Sequence, residues 1–186
     1  MGGLKLTELP LPGLVRIHTT RIADERGQFS RIFCEQALAE LRRGLHFTQV
    51  NLSETRTRGT VRGLHYQLPP AAEAKMIRCL RGRVFDVAVD LRHGSPTFLR
   101  WHGIELDAGD DSQVFIPEGF AHGFQALTDD VQLLYFHTAD WQPTLERRVR
   151  YDEPRVGIHW PLPASHLSAR DAGAEPLDAA FDGVQA

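Results

Sequence analysis

Apolar residues along this chain recur mostly at every second position, in short runs broken by Gly, Pro and Asp. Alternation of that period marks half-buried strands. Leu14-Val15-Arg16-Ile17-His18 reads as a short strand, and Asp24-Glu25-Arg26-Gly27 as a turn feeding a second one, Phe29 to Phe33. Phe47 to Ser53 and Thr60 to Gln67 follow, the latter after a turn at Gly59. Lys75 to Leu80 and Val84 to Leu91 flank Arg81-Gly82-Arg83, which reads as a hairpin connection. Within the second of these, Phe85, Val87 and Val89 share one face and Asp86, Ala88 and Asp90 the other. A turn at His93-Gly94-Ser95-Pro96 precedes Phe98 to Leu106, and Gln113 to Ile116, Phe120 to Leu127 and Val131 to His137 complete the run.

One stretch breaks the pattern. Glu35 to Arg43 is rich in Ala, Leu, Glu and Arg, carries Leu38 and Leu41 on one face, and stops at Gly44, which predicts a short helix. Many short strands with a single N-terminal helix predict a mainly β chain, a double-sheet jelly roll or small antiparallel barrel. Helix-strand alternation is missing, and no Gly-x-Gly-x-x-Gly or Walker-type loop follows a strand, which argues against a doubly wound nucleotide-binding fold. From Pro154 onward Pro, Ala and Asp increase, predicting a loop-rich C-terminal tail across the barrel. With no internal repeat, residues 1–186 read as one jelly-roll domain.

Composition sharpens this. With 42% hydrophobic and 24% charged residues the chain is neither disordered nor membrane-spanning in character. No apolar run approaches the roughly 20 residues that cross a bilayer, and no basic region followed by an apolar run marks a signal peptide. A formal net charge of -3 gives no general attraction for nucleic acid, though a local basic cluster would suit a small anion such as a phosphate. Cys34 and Cys79 lie far apart in no metal or redox motif, so the expected setting is a reducing cytoplasm.

Candidate chemistry gathers in two places. Arg62-Gly63-Leu64-His65-Tyr66-Gln67, with Lys75 shortly after, sets a guanidinium, an imidazole, a phenol and an ammonium on extended backbone, a costly group to bury without function. In Ile116-Pro117-Glu118-Gly119-Phe120-Ala121-His122-Gly123-Phe124 a turn delivers His122 into the next strand. The Gly-x5-His from Gly59 to His65 and the Pro-x-Gly-x-x-His ending at His122 resemble the two signature halves of the cupin barrels. Metal-binding cupins carry a second His and a carboxylate in the first half. Here Gln67 stands at the second His, and the nearby Lys75 would repel a divalent ion, so no metal is expected and an anionic ligand is favoured.

A closer likeness runs in order over nearly the whole chain. Asp24-x-Arg26-Gly27-x-Phe29, Gln49-Val50-Asn51-x-Ser53, Arg62 to Gln67, Lys75, Asp86 to Arg92 and Gly94 to Phe98 belong to it. So do Ile116 to Phe124, Tyr135, Ile158-x-Trp160-Pro161 and Leu167-Ser168-x-x-Asp171. In these the chain resembles the dTDP-4-dehydrorhamnose 3,5-epimerase family, cupin-fold isomerases that act on nucleotide-linked 4-keto-6-deoxy sugars in deoxysugar biosynthesis. The resemblance implies epimerisation at C3, C5 or both of a dTDP-linked 4-keto-6-deoxyhexose. It assigns His65 as the base, Asp171 as its partner, Lys75 as the enolate-holding cation and Tyr135 as the acid. Arg26, Phe29, Gln49, Asn51, Arg62 and His122 would contact the nucleotide and its diphosphate, and Trp141 would face the sugar or base. No cofactor is implied, because the ketone is the electron sink, and the chain is expected to be a homodimer that exchanges N-terminal strands.

Other readings stand beside these. His65 is also explained as a satisfied core histidine, and His122 as a support for its turn or a partner of Asp86. Ser168-Ala169-Arg170-Asp171 also matches a helix capping box, which would spend Asp171 on backbone. Tyr66 reads as packing, Arg147, Arg148 and Arg150 as a solvated strand face, and Asp110-Asp111 as a turn. Two residues depart from the family pattern: Arg31 where a Glu is usual, and Trp141 where a Tyr is common. Both bear on which nucleotide sugar, and which carbon, is handled. The competing functions are a sugar-nucleotide-binding cupin without turnover, distinguished by binding without deuterium uptake, and a metal-dependent cupin oxygenase, distinguished by stoichiometric iron.

Overall fold

The structure, a computed structural model, describes residues 3–41 and 44–185. In chain order the elements are β1 (Leu4–Glu8), β2 (Val15–Thr19), β3 (Arg21–Asp24), β4 (Gly27–Ser30), α1 (Glu35–Leu38), β5 (Gln49–Thr55) and β6 (Val61–Gln67). They continue with β7 (Lys75–Arg81), β8 (Arg83–Asp90), β9 (Trp101–Asp107), β10 (Ser112–Ile116), β11 (Phe120–Ala126), β12 (Val131–His137), β13 (Glu146–Arg148) and α2 (Ala169–Ala172). A six-stranded sheet in the order β1-β2-β10-β7-β12-β5 faces a five-stranded sheet in the order β13-β6-β11-β8-β9, and β3 and β4 form a separate hairpin. Pairing in both large sheets is antiparallel, as the cupin-type jelly roll requires.

Alternation along the strands explains the layers. Ile77, Cys79, Val114, Ile116, Val131 and Leu133 of one sheet meet Val84, Ala88, Leu106, Phe120 and Phe124 of the other in the core between them. Residues one position out of phase point away. On the five-stranded sheet Leu64, Tyr66, Val87 and Val89 are covered by Val156, Ile158, Trp160 and Val184 of the tail. Tyr66 is therefore a packing residue. On the six-stranded sheet Val15, Ile17, Met76 and Phe115 are covered by Leu38 and Leu45.

Two expectations are corrected. Arg81-Gly82-Arg83 does not make a hairpin: β7 pairs with β10 and β12, whereas β8 pairs with β11 and β9. Gly82, at φ +72°, instead carries the chain from one sheet to the other, so that Cys79 and Val84 face the same core from opposite sides. The helix spans one turn rather than Glu35 to Arg43. Cys34 at its N-cap supplies no side-chain bond, and a single turn is marginal by itself, so burial of Leu38 is what holds it. Arg42 and Arg43 lie outside the described residues. Among the described residues no helix is long and apolar enough to cross a membrane.

One contact sets where the site forms. Gly63 of β6, at φ +111°, backs onto Gly123 of β11, and a Cβ at Gly63 would meet the Gly123 Cα and the His122 carbonyl at 2.7 Å. A Cβ at Gly123 would meet the Arg62 carbonyl at 2.6 Å. These are backbone atoms with no flexible end to move. The pairing shifts by a bulge there and sets His65 opposite His122. Gly63→Ala or Gly123→Ala is expected to cost about 1–3 kcal/mol of stability through overpacking and strain. Urea unfolding measures it, and a wild-type midpoint in both variants would contradict the contact.

Candidate active site

A cavity of about 660 Å³ opens between the two sheets, at the end where inward-facing positions turn polar. The same alternation that builds the core builds it. Beyond Val131 and Leu133, the inward positions of β12 become Tyr135 and His137; β6 contributes His65, β7 Lys75, β11 His122, and β5 contributes Gln49, Asn51 and Ser53.

His65 is about one-third exposed, and its Nε2 lies 2.7 Å from Oδ1 of Asp171, whose side chain is 6% exposed. A carboxylate only accepts, so Nε2 holds the proton and Nδ1 keeps a free lone pair. Asp171 arrives on α2. The N-cap Ser168 accepts the Asp171 backbone N–H at 3.1 Å, which leaves the carboxylate free for the imidazole and for the Gly63 N–H at 3.4 Å. Capping and the contact with His65 thus coexist, because they use different atoms of Asp171. Burial pushes the Asp171 carboxyl up, but the bonds from His65, Gly63 and Ser168 outweigh it and hold the group below the usual carboxylate range.

Lys75 is buried, donating to the His65 carbonyl at 3.2 Å and pairing with Glu73 at 3.3 Å. His122 meets Asp86 at 2.8 Å with both side chains buried; burial lowers its basicity more than Asp86 restores it, which favours the neutral ring. The Tyr135 ring sits edge-on to His122 at 5.8 Å between centroids and is stacked on His137 at 5.9 Å. Burial first, and the Asp86 charge second, push the Tyr135 phenol well above its ordinary range, so it is protonated at neutral pH.

The proposed nucleotide contacts divide. Arg62 lines the cavity, anchored by bonds to Thr55 Oγ1 and the Glu54 carbonyl; Gln49, Asn51 and the half-exposed Trp141 line it as well. Gln49 accepts the Trp141 backbone N–H at 3.3 Å. Arg26 and Phe29 are not brought to this cavity. They lie on the β3–β4 hairpin, Phe29 67% exposed and the Arg26 guanidinium paired with Asp24 of the same turn. Gln67 is occupied in fastening loops: it donates to the carbonyls of Ala71 and Asp140 and accepts from Gln142 N–H.

Sequence reasoning missed several lining residues. Arg148 is not part of a solvated face: its guanidinium pairs with Glu146 at 2.6 Å and its Nε lies 3.6 Å from the Asp171 carboxylate. Strand β13 turns Glu146 and Arg148 toward the cavity, whereas Arg150 is paired with Asp152 nearer the surface. Arg170 shares the Glu146 carboxylate at 2.6 Å. Glu73 and His137 also line the cavity, bonded to each other at 2.8 Å; the signal for His137 was its place two residues beyond Tyr135 on one strand face.

A family model described as dTDP-4-dehydrorhamnose 3,5-epimerase matches residues 8–179. A dTDP-4-dehydrorhamnose 3,5-epimerase of Pseudomonas aeruginosa is 41% identical over 170 residues, covering 90% of this chain and 93% of that one. Among solved structures, dTDP-6-deoxy-D-glucose-3,5-epimerase from Legionella pneumophila, in complex with dTDP-4-keto-L-rhamnose, superposes with a TM-score of 0.90 at 35% identity, covering 98% of this chain and 99% of that one. A 3'-monoepimerase from Streptomyces bikiniensis in complex with dTDP-quinovose gives a TM-score of 0.82 at 34% identity, covering 90% of this chain and 85% of that one.

The lowered pKa of Asp171 carries a pH signature. Unfolded, an aspartate titrates near about 3.9; folded, this one titrates lower, so its stabilisation is complete above the unfolded value and lost as pH falls through the folded one. Asp171→Asn is expected to cost about 1–3 kcal/mol at pH 7, with the deficit shrinking under acid. Urea unfolding across the acid range tests this, and an equal deficit at every pH contradicts it.

Proposed function

The chain belongs to the dTDP-4-dehydrorhamnose 3,5-epimerase family, and on that premise we propose that it epimerises a dTDP-linked 4-keto-6-deoxyhexose at C3, C5 or both. The observation that carries this reading is the His65–Asp171 pair, set in one cavity with Lys75 and Tyr135. His65 Nδ1 takes the proton from the carbon beside the ketone. The electron pair moves into the carbonyl, the enolate oxygen is held by the Lys75 ammonium, and Tyr135 returns a proton to the opposite face. Asp171 orients the imidazole and stabilises the imidazolium. Loss of one preorganised donor such as Lys75 costs roughly 3–4 kcal/mol of transition-state stabilisation.

Arg62 meets the diphosphate, and Gln49, Asn51 and Trp141 meet the base or sugar. The printed activity of the Streptomyces bikiniensis relative, a 3'-monoepimerase, keeps inversion at one carbon as the second form of this reading. Two free cysteines suit a cytoplasmic setting.

A homodimer completes the site. Strand β1 lies at an edge of the six-stranded sheet, and the β3–β4 hairpin joins neither large sheet. Ile22 and Phe29 on the hairpin, and Val50 and Leu52 on the edge strand β5, are all exposed large apolar groups. A partner that exchanges N-terminal strands would cover them, and Arg26 and Phe29 would then serve the partner's cavity rather than their own.

In D2O with dTDP-4-keto-6-deoxyglucose, the enzyme is expected to place deuterium at each epimerised carbon, read by proton NMR. His65→Ala is expected to slow uptake by about 10²–10⁴-fold; unchanged uptake would remove His65 from the role of base. For the dimer, inactive His65→Ala chains mixed with Arg26→Ala chains are expected to regain activity, since one pocket then combines an intact base with an intact hairpin. No recovery after subunit exchange would count against the crossed arrangement.

A further inference from the structure

Lys75 is the least self-explanatory member of the site. Its ammonium is buried among groups that do not favour a positive charge: the imidazoles of His65 on β6 and of His122 on β11, and the rings of Tyr135 and His137 on β12, with Arg62 also lining the cavity. The Asp86 carboxylate is engaged by His122, and that of Asp171 by His65. Among the described residues the one carboxylate paired with Lys75 is Glu73, at 3.3 Å from Oε1, and the Glu73 side chain is itself only 9% exposed. Its other oxygen, Oε2, is 2.8 Å from Nδ1 of His137.

This three-group chain is built into the sheet. His137 of β12 stands directly opposite Lys75 of β7 in the strand register. The backbone around Glu73 is fastened to the same place: Ala74 N–H donates to Thr138 Oγ1 at 2.8 Å, and Thr138 N–H donates to the Ala74 carbonyl at 3.1 Å. We propose that Glu73 is the positioning residue for Lys75, and that His137, by holding the second carboxylate oxygen, fixes the first one where Lys75 needs it. The ammonium then spends one N–H on the His65 carbonyl and one on Glu73, which leaves a third, with its direction fixed, for the substrate oxygen. Burial pushes the Glu73 carboxyl up, but the bonds from His137 and Lys75 outweigh it and hold the group ionised.

The inference rests on Lys75 as the enolate-holding cation, and the test separates the two. Steady-state turnover of dTDP-4-keto-6-deoxyglucose is followed for Glu73→Gln, Lys75→Met, the double variant, His137→Gln and His137→Leu. Glu73→Gln is expected to lower kcat on the order of tenfold to a hundredfold, with KM little changed. In the Lys75→Met background the Glu73 change is expected to cost nothing more, since the group it positions is absent. His137→Gln, which keeps an N–H for the carboxylate, is expected to exceed His137→Leu in kcat.

Additive losses in the double variant, or equal rates for the two His137 variants, would each overturn the positioning role. The His137 comparison decides if Glu73→Gln does not fold. Lys75→Met with undiminished kcat would remove the enolate role itself. A slow Lys75→Met beside a normal Glu73→Gln would remove the positioning role alone.

Discussion

The close approach of β6 and β11 at Gly63 and Gly123 is the constraint on which the site depends. Two strands whose backbones touch have no room for a Cβ at either position, and the bulge that follows rephases β6 against β11. The consequence is chemical as well as steric. His65 comes to face His122 across the pairing, and the Gly63 N–H is left pointing at the carboxylate of Asp171. Glycine is thus required where a histidine pair and an aspartate from a distant tail must meet.

The second constraint is the cost of so many ionisable groups in one cavity. Three of the histidine rings that line it each have a carboxylate within hydrogen-bond distance: His65 with Asp171, His122 with Asp86 and His137 with Glu73. Pairing offsets desolvation and fixes which ring nitrogen carries a proton. The pairs differ in exposure, and this separates their behaviour. His122 and Asp86 are shut away, and burial keeps that imidazole neutral; His65 is open on one side to the cavity.

Much of this was legible in the chain because alternation is a local property. Asp86 opposite Phe85 and Val87 on β8, and Tyr135 in phase with Val131 and Leu133 on β12, follow from period two alone. What was not legible is non-local. A short Arg-Gly-Arg turn joins paired strands or crosses between sheets with the same residues, and only the partners of β7 and β8 decide it. The Glu73–His137 bond spans 64 positions, and Arg148 meets Asp171 only because β13 adds to the edge of β6. Arg26 and Phe29, assigned by resemblance, lie outside the cavity of their own chain for a reason no local pattern carries: the hairpin that holds them joins neither sheet.

The direction of proton flow in the proposed reaction follows from the contrast between the two walls. On one wall the proposed base, His65, is about one-third exposed and tied to a carboxylate held ionised. On the other wall the phenol of Tyr135 is packed against His122 and His137, where burial keeps it protonated. A group that resists ionisation gives up its proton only to a stronger base, and an enolate carbon is one. The same burial makes Tyr135 a poor competitor for the initial abstraction. In the proposed reaction the surroundings of the two groups thus match the roles of base and acid, and Lys75, on the strand beside that of Tyr135, would hold the charge that appears only when the proton has left one face and not yet returned to the other.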